Sequence, residues 1–513
     1  MKGAILGLTF LTVFSFCLSA YAQDSKYVEN PTPEGGRIVG DRKYFGRDYI
    51  VKNPRATLPE PKGIPLAKMD STQEECEFWR EDTQLTQFSG DAFHPKIAAT
   101  GDTIHVVWRQ DLHLQIYHEE VFYTRSTDGG KTWSDSVALS DVDDSISTSP
   151  QIVAYDNYVH VFWANYGTGA DRIIYYRRST DGGESWLPKQ VIKKSVLDSS
   201  GGGQRATARD DILYLTYSWG DEDQGNMYLR RSTDHGETWE QETVMDSVCL
   251  LMYRDLACNS GGLHMVGQGS YGAAYEIFYY RSTDFGETWT SCVPISHLDD
   301  IHSQWPAISA DDSGGVYATW FDYKYSPYGW TGDIFLRRST DNGETWEPII
   351  SLTDDPRGIA SDVCADSFGV HVVWHDERHS DSSNSEIYYR KSSDQGVSWL
   401  PEERLTAALG RSDDPTITTS LYNVHVAWID SRDLSYQDIY YKKHESYIPG
   451  DANGDRDVDL SDAVYLVNYL FIGGPPPNAY EAGDANGEDD INLADVVYLV
   501  NYLFIGGPEP GGC

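Results

Sequence analysis

The sequence predicts an all-β chain, a seven-bladed β-propeller with six blades as the alternative, followed by a small α-helical module. Three observations predict it. The octapeptide Ser126-Thr127-Asp128-Gly129-Gly130-Lys131-Thr132-Trp133 returns five more times. Short β-branched and aromatic runs recur in step with it, and the C-terminal stretch holds two copies of an acidic loop followed by an apolar helical run.

The later copies span Ser179 to Trp186, Ser232 to Trp239, Ser282 to Trp289, Ser339 to Trp346 and Ser392 to Trp399. Their aspartates stand at Asp128, Asp181, Asp234, Asp284, Asp341 and Asp394, so the steps are 53, 53, 50, 57 and 53 residues. A period of that size means stacked β units. Within each copy the Asp carboxylate accepts backbone N–H groups, the Gly two places on takes a left-handed turn, and the Trp packs between strands. The octapeptide is thus a hairpin clasp. On these residues, residues 83–444 resemble the Asp-box repeat family, which includes sialidases and other glycan-active β-propellers; in that family the clasp is structural.

Met1-Lys2, an apolar run from Ala4 to Ala20 and Ala20-Tyr21-Ala22 read as a secretory signal cleaved before Gln23, so the expected chain is exported. No later run is long enough to cross a membrane. A formal net charge of -39 argues against nucleic acid and anionic lipid as partners and suits a chain that holds Ca²⁺. After cleavage six cysteines remain, Cys76, Cys249, Cys258, Cys292, Cys364 and Cys513. Cys249, Cys258 and Cys292 belong to one repeat, where either a local bridge or buried thiols fit. The proline-rich stretch 23–82 reads as a leader that wraps the domain or stays mobile.

From Thr83 each repeat lays out as an inner strand such as Pro95 to Ala99, a second strand such as Ile104 to Trp108, a third such as Glu120 to Tyr123, and an outer strand after the clasp, as in Ser134 to Leu139. The inner three occur seven times. The last set, Pro415 to Thr419, Asn423 to Trp428 and Asp438 to Lys443, has no clasp, and Thr83 to Thr86 can supply its missing outer strand. A ring closed by both ends removes an open sheet edge. The propeller is placed at residues 83–446.

Repetition separates scaffold from site, because a catalytic group is unique to one blade. His105, His160, His264, His371 and His425 share one slot and read as scaffold, as do the third-strand acids Glu120, Glu276, Asp333, Glu386 and Asp438. Arg378 and Arg432 read as local ion pairs with Asp376 and Asp430. The unique residues on the face opposite the clasps are Arg205 and Arg254, each opening an inner strand, and Trp219, Tyr271, Trp305 and Trp330, flat faces for sugar rings. Sialidases of the resembled family open their first inner strand with Phe/Tyr-Arg-Ile-Pro, whose arginine helps clamp a carboxylate. Here the place reads Phe93-His94-Pro95-Lys96, without the arginine, and no clear Tyr–Glu nucleophile pair is found. A two-carboxylate glycosidase stays open among Asp111, Asp221, Asp223 and Asp376. Catalytic residues are therefore unassigned, and a non-catalytic carbohydrate- or protein-binding propeller is the competing reading.

At the C-terminus, Asp451-Ala452-Asn453-Gly454-Asp455-Arg456-Asp457-Val458-Asp459-Leu460-Ser461-Asp462 returns 33 residues later from Asp484 to Asp495. Side-chain oxygens at loop positions 1, 3, 5, 9 and 12 and a carbonyl at 7 suit Ca²⁺. The ligand candidates are Asp451, Asn453, Asp455, Asp457, Asp459 and Asp462 in one loop and Asp484, Asn486, Glu488, Asp490, Asn492 and Asp495 in the other, giving two ions. Helical runs Ala463 to Ile472 and Val496 to Ile505 follow, each stopped by a Gly pair. This pattern resembles a type I dockerin, placed at residues 449–513, and the resemblance implies docking to a cohesin-type partner. Leu460, Ser461, Leu493 and Ala494 would begin that recognition surface. Glu488 and Asp489 depart from the pattern, and a module that only caps its own chain is the alternative.

Overall fold

The computed structural model describes residues 76–511 except 113–117, 144, 168–171, 196–199, 221–225, 246–251, 327–330, 379–383, 421–422, 434–435, 478 and 489. The expected signal segment, the leader up to residue 75, Cys249, Cys513, Trp330, Asp221, Asp223 and Asp489 lie outside the described residues. The chain from Gln73 onward is one compact unit.

The unit is mostly β, built from antiparallel sets in chain order. First strands run Ala92–Thr100, Ile146–Tyr155, Ser200–Arg209, Met252–Asn259, Ser303–Ala310, Gly358–Asp366 and Ser412–Ser420. Each pairs with a second strand, which pairs with a third, and in the first six sets a short outer strand follows. Neighbouring first strands pack in sequence order, and Ser412–Ser420 packs against Ala92–Thr100. Buried side chains fill the space between sets. Ile104, Val106 and Trp108 of the first set share a cluster with Ala427, Ile429, Ile439 and Tyr441 of the last.

The clasps hold as their chemistry requires. Ser126 Oγ accepts the Gly130 N–H at 2.8 Å and donates to Asp128 Oδ1 at 2.7 Å. The other carboxylate oxygen, Asp128 Oδ2, accepts the Thr132 hydroxyl at 2.6 Å. The clasp glycine must also be small: Gly183 has φ 82°, and a Cβ there would meet Tyr123 Oη of the preceding set at 1.8 Å. That same Tyr123 ring takes the clasp Trp186 edge-on at 4.9 Å, and its hydroxyl meets His105 Nδ1 at 2.7 Å. His160, His264, His371 and His425 repeat the contact with Tyr176, Tyr279, Tyr389 and Tyr441. The histidine slot is scaffold. The third-strand acids pin outer strands: Glu120, Glu276, Asp333 and Glu386 accept from Ser140, Ser296, Thr353 and Thr406.

In the last set the N-terminal stretch takes the outer place. Thr83 and Gln84 pair with Tyr441 and Tyr440, and Thr86 Oγ1 donates to Asp438 at 2.6 Å. Part of the expected leader is also ordered sheet, since Cys76–Trp79 pairs with His444 to Tyr447. Trp79 lies edge-on to Tyr389 at 4.9 Å and 82°, the position that clasp tryptophans occupy elsewhere. Cys76 and Cys292 are in disulfides, whereas Cys258 and Cys364 are thiols.

The C-terminal module has helices α1 Leu460–Ile472, α2 Tyr480–Gly483 and α3 Leu493–Ile505. α1 and α3 pack around Leu466, Ile491, Val496 and Leu499. Both long helices begin three residues before the apolar pattern does. Asp459 and Asn492 cap them through the N–H groups of Ser461 and Ala494, with Asp462 and Asp495 reaching back.

Candidate functional site

Every first strand carries a bulge near its start, where one residue adopts a left-handed backbone: His94, Ser149, Gly203, Tyr253, Trp305, Ala360 and Asp414, with φ between 44° and 62°. Register breaks between Phe93 and Lys96, and at the equivalent place in each later set. Such strain in non-glycine residues costs energy and is retained where surrounding structure fixes it. The bulge is common to all sets, but the residue that occupies it differs in each. By the uniqueness rule, these residues are the site candidates.

Contacts run from bulge to bulge. Arg109 Nη1 donates to Thr148 Oγ1 at 3.4 Å, Gln204 Nε2 to Ser149 O at 2.6 Å, and Arg254 Nη2 to Gly203 O at 2.9 Å. Tyr253 and Trp305 have ring centroids 6.2 Å apart. Asp255 Oδ2 accepts the Ile308 N–H at 2.9 Å, Ser361 Oγ, beside the Ala360 bulge, donates to Thr319 Oγ1 of the fifth set at 3.1 Å, and Asp362 Oδ2 accepts the Ile417 N–H at 3.2 Å. The circuit returns to its start where His94 Nδ1 donates to Asp414 Oδ2 at 2.9 Å.

The carboxylates here are driven apart. Burial raises the Asp255 carboxyl against the pull of Arg205, and Asp362 adds to the rise. Burial also opposes ionisation of Asp414, yet the hydrogen bond and charge of His94, with the charge of Lys96, hold it below the usual range. The Asp414 N–H donates to His375 Nδ1 at 3.3 Å, which makes that nitrogen an acceptor. One carboxyl pushed up and one held down is the kind of divergence that separates acid from base roles.

The sequence candidates separate on this frame. Arg205 lies inside its strand with Nε 3.8 Å from Asp255 Oδ1, and Trp305 stands exposed on its bulge. Tyr271 is exposed at the tip of the hairpin where it pairs with Ala274. Trp219 is corrected: it is 8% exposed and packed with Tyr217 and Leu215, so it offers no sugar-facing ring. Arg254 is corrected too, since it is buried and spends its guanidinium on Ser218 Oγ and Gly203 O. Among the acids, Asp376 belongs to an ion pair with Arg378 at 2.7 Å, as Asp430 does with Arg432. His94, Tyr253, Asp255 and Asp414 were missed. Sequence reading started the first strands after the bulge, because a left-handed residue interrupts the alternation that marks a strand.

In the C-terminal loops the donors fit a hard cation. Asp451 accepts the N–H groups of Gly454, Asp455 and Arg456, which folds the loop, and Arg456 at loop position 6 is left-handed at φ 70°, where Ca²⁺ loops place glycine. Burial, with the charges of Asp451 and Asp455, pushes the Asp462 carboxyl up to about 7 against two backbone N–H bonds. In the second loop Asn486 Oδ1 is buried with no hydrogen-bond partner, as expected of a metal ligand. Among the described residues no group of three His, Cys, Asp or Glu side chains forms a cation cluster; here amide and main-chain oxygens belong to the donor set. Leu460, Ser461, Leu493 and Ala494 are all exposed at the starts of α1 and α3.

Comparison with known proteins matches the BNR repeat-like domain at residues 156–356 and the dockerin type I domain at residues 449–504. The chain carries an Asp-box repeat domain and a type I dockerin. Type I dockerins bind calcium. A xyloglucanase from a Paenibacillus species is 25% identical over 268 residues, 43% of this chain and 25% of that protein, so the chain spans about a quarter of the curated relative's length. A Hadza microbial sialidase aligns over 55% of this chain and 63% of its own, at 18% identity and TM-score 0.41. An α-L-arabinofuranosidase from Fusarium graminearum aligns over 71% of this chain and 97% of its own, at 10% identity and TM-score 0.43. No described helix is long and apolar enough to cross a membrane.

Proposed function

We propose that the chain is an exported glycan-processing protein, a seven-bladed propeller at residues 83–446 whose substrate binds at the mouth formed by the bulges, tethered by a Ca²⁺-dependent dockerin at residues 449–513. The signal peptide 1–22 and leader 23–82 complete the division. Seven blades are supported by the bulge circuit, which ends where it began at His94 and Asp414, and by the packing of the last set on the first. The observation that carries the functional reading is the set of seven left-handed bulges, occupied by a different residue in each set and associated with two carboxyls of opposite tendency, Asp255 and Asp414.

In this reading the reaction is glycoside hydrolysis, with Asp255 as the acid and Asp414 as the base or nucleophile. The xyloglucanase relative and the dockerin support a degradative role. Sialidase activity is disfavoured, because Arg205, Arg109 and Arg411 are paired with Asp255, Glu119 and Asp413. The dockerin would hold two Ca²⁺ ions through Asp451, Asn453, Asp455, Asp457, Asp459 and Asp462, and through Asp484, Asn486, Glu488, Asp490, Asn492 and Asp495. Its exposed Leu460, Ser461, Leu493 and Ala494 would meet a cohesin-type domain.

The competing reading is a propeller that binds glycan or protein without cleaving it. Asp255 and Asp362 each cap an N–H of the next first strand, which is a structural task. Purified chain is to be assayed on aryl glycosides and polysaccharides beside Asp255→Asn and Asp414→Asn. Sugar release that falls about 100-fold or more in both variants, the scale of general acid–base catalysis, supports hydrolysis. No release above buffer, with glycan-array binding retained, decides for binding alone.

A further inference from the structure

We infer that Tyr253 and Trp305 form a stacking subsite for neutral pyranose rings at the propeller mouth, an assignment that rests on the glycan reading above. The two rings come from neighbouring first strands and stand 6.2 Å apart with 57° between their planes. Tyr253 is 58% and Trp305 40% exposed, although each is displayed from a strained left-handed backbone at φ 44° and 49°. Neither ring is needed to fill the interior. Trp305 is braced from behind, since its ring lies 5.2 Å from that of buried Phe321, which in turn meets Tyr323 edge-on at 5.1 Å. Two inclined and open aromatic faces, one of them braced, are what the C–H-bearing faces of a sugar ring stack on.

Charge selects the class of sugar. Arg205 is paired with Asp255, Arg109 with Glu119 while lying over the Phe93 ring, and Arg411 with Asp413. Arg254 donates to Ser218 and Gly203. Each of these four arginines is already engaged and none is held ready for the bidentate grip that a sialic or uronic carboxylate calls for. The chain as a whole carries a formal net charge of -39, which opposes the approach of an acidic polymer. A neutral glycan meets none of these penalties. The subsite also sits beside the acid of the proposed reaction: Asp255 follows Tyr253 by two residues on the same strand and caps Ile308, three residues past Trp305.

Glycine is the informative substitution, because it deletes each ring and relieves the left-handed backbone at the same time. Full-length chain, Tyr253→Gly, Trp305→Gly and Trp305→Tyr are to be titrated calorimetrically with cello-, xylo-, manno- and galacto-oligosaccharides, and with sialyllactose and oligogalacturonate as acidic probes. At least one neutral oligosaccharide should bind the parent chain. Its affinity should drop about tenfold or more in both glycine variants, whose Tm is maintained or raised, and stay within about threefold in Trp305→Tyr. Neutral binding unchanged in both glycine variants overturns the subsite while the glycan reading stands. Binding confined to the acidic probes overturns the neutral class. If no saccharide in either set binds, the glycan reading falls and the subsite with it.

Discussion

A β-carbon at Gly183 would stand 1.8 Å from Tyr123 Oη, whereas one at Gly101, also left-handed, would meet nothing within 4 Å. The pair separates backbone strain from packing. Gly101→Ala should cost about 1 kcal/mol, the left-handed penalty alone, and Gly183→Ala about 3 kcal/mol or more because the Tyr123 hydroxyl and its His105 bond must move. Denaturant midpoints of the two variants check this, and equal shifts would show that the tyrosine does not press on the clasp. The octapeptide made Gly183 readable because its chemistry is local and repeated. His94 and Asp414 were not readable, since they meet across 320 residues and nothing in Phe93-His94-Pro95-Lys96 announces the partner.

Elements that repeat were read well, and elements that occur once were not. The Cys76–Trp79 strand lies in a proline-rich stretch without alternation, yet Trp79 replaces a clasp tryptophan against Tyr389. Trp79→Ala should destabilise the chain by about 3 kcal/mol and speed hydrogen exchange at His444 to Tyr447, the residues its strand covers. Unchanged exchange there would mean the strand adds no protection. In the dockerin, the capped helix starts at Leu460 and Leu493 depend on loops rich in like charge. Adding Ca²⁺ to chelator-treated chain should therefore raise the far-ultraviolet helical signal, less so in Asp462→Ala, which removes both a ligand and a helix cap. A spectrum indifferent to Ca²⁺ would remove the ion from the folding of this module.

At the scale of the whole molecule, stability should follow pH through the histidine slot. Burial, with nearby cationic side chains, holds His105, His160, His371 and His425 down to about 3 and His264 to about 4. Their folded values lie below the unfolded value near 6.5, so their contribution is complete above that pH and is lost as pH falls toward the folded values. Each histidine costs about 1.4 kcal/mol per pH unit in that window. The clasp aspartates Asp181, Asp284, Asp341 and Asp394 are held at about 2, chiefly by hydroxyl and backbone donors that prevail over what burial there is. Their contribution stays intact down to about pH 4. Thermal scans should thus show Tm falling from pH 6.5 to 4.5, before the clasps titrate, and a Tm flat across that range would place the five histidines in solvent. By itself the sequence determined the period, the clasp chemistry, the histidine scaffold and the cation loops, because each is a short-range pattern written several times. Only the tertiary structure decided which residues occupy the first-strand bulges and which aromatic faces stay open. The left-handed bulge recurs in all seven first strands whatever residue occupies it, from glycine to tryptophan, so the arrangement of the sets and not local residue preference fixes it.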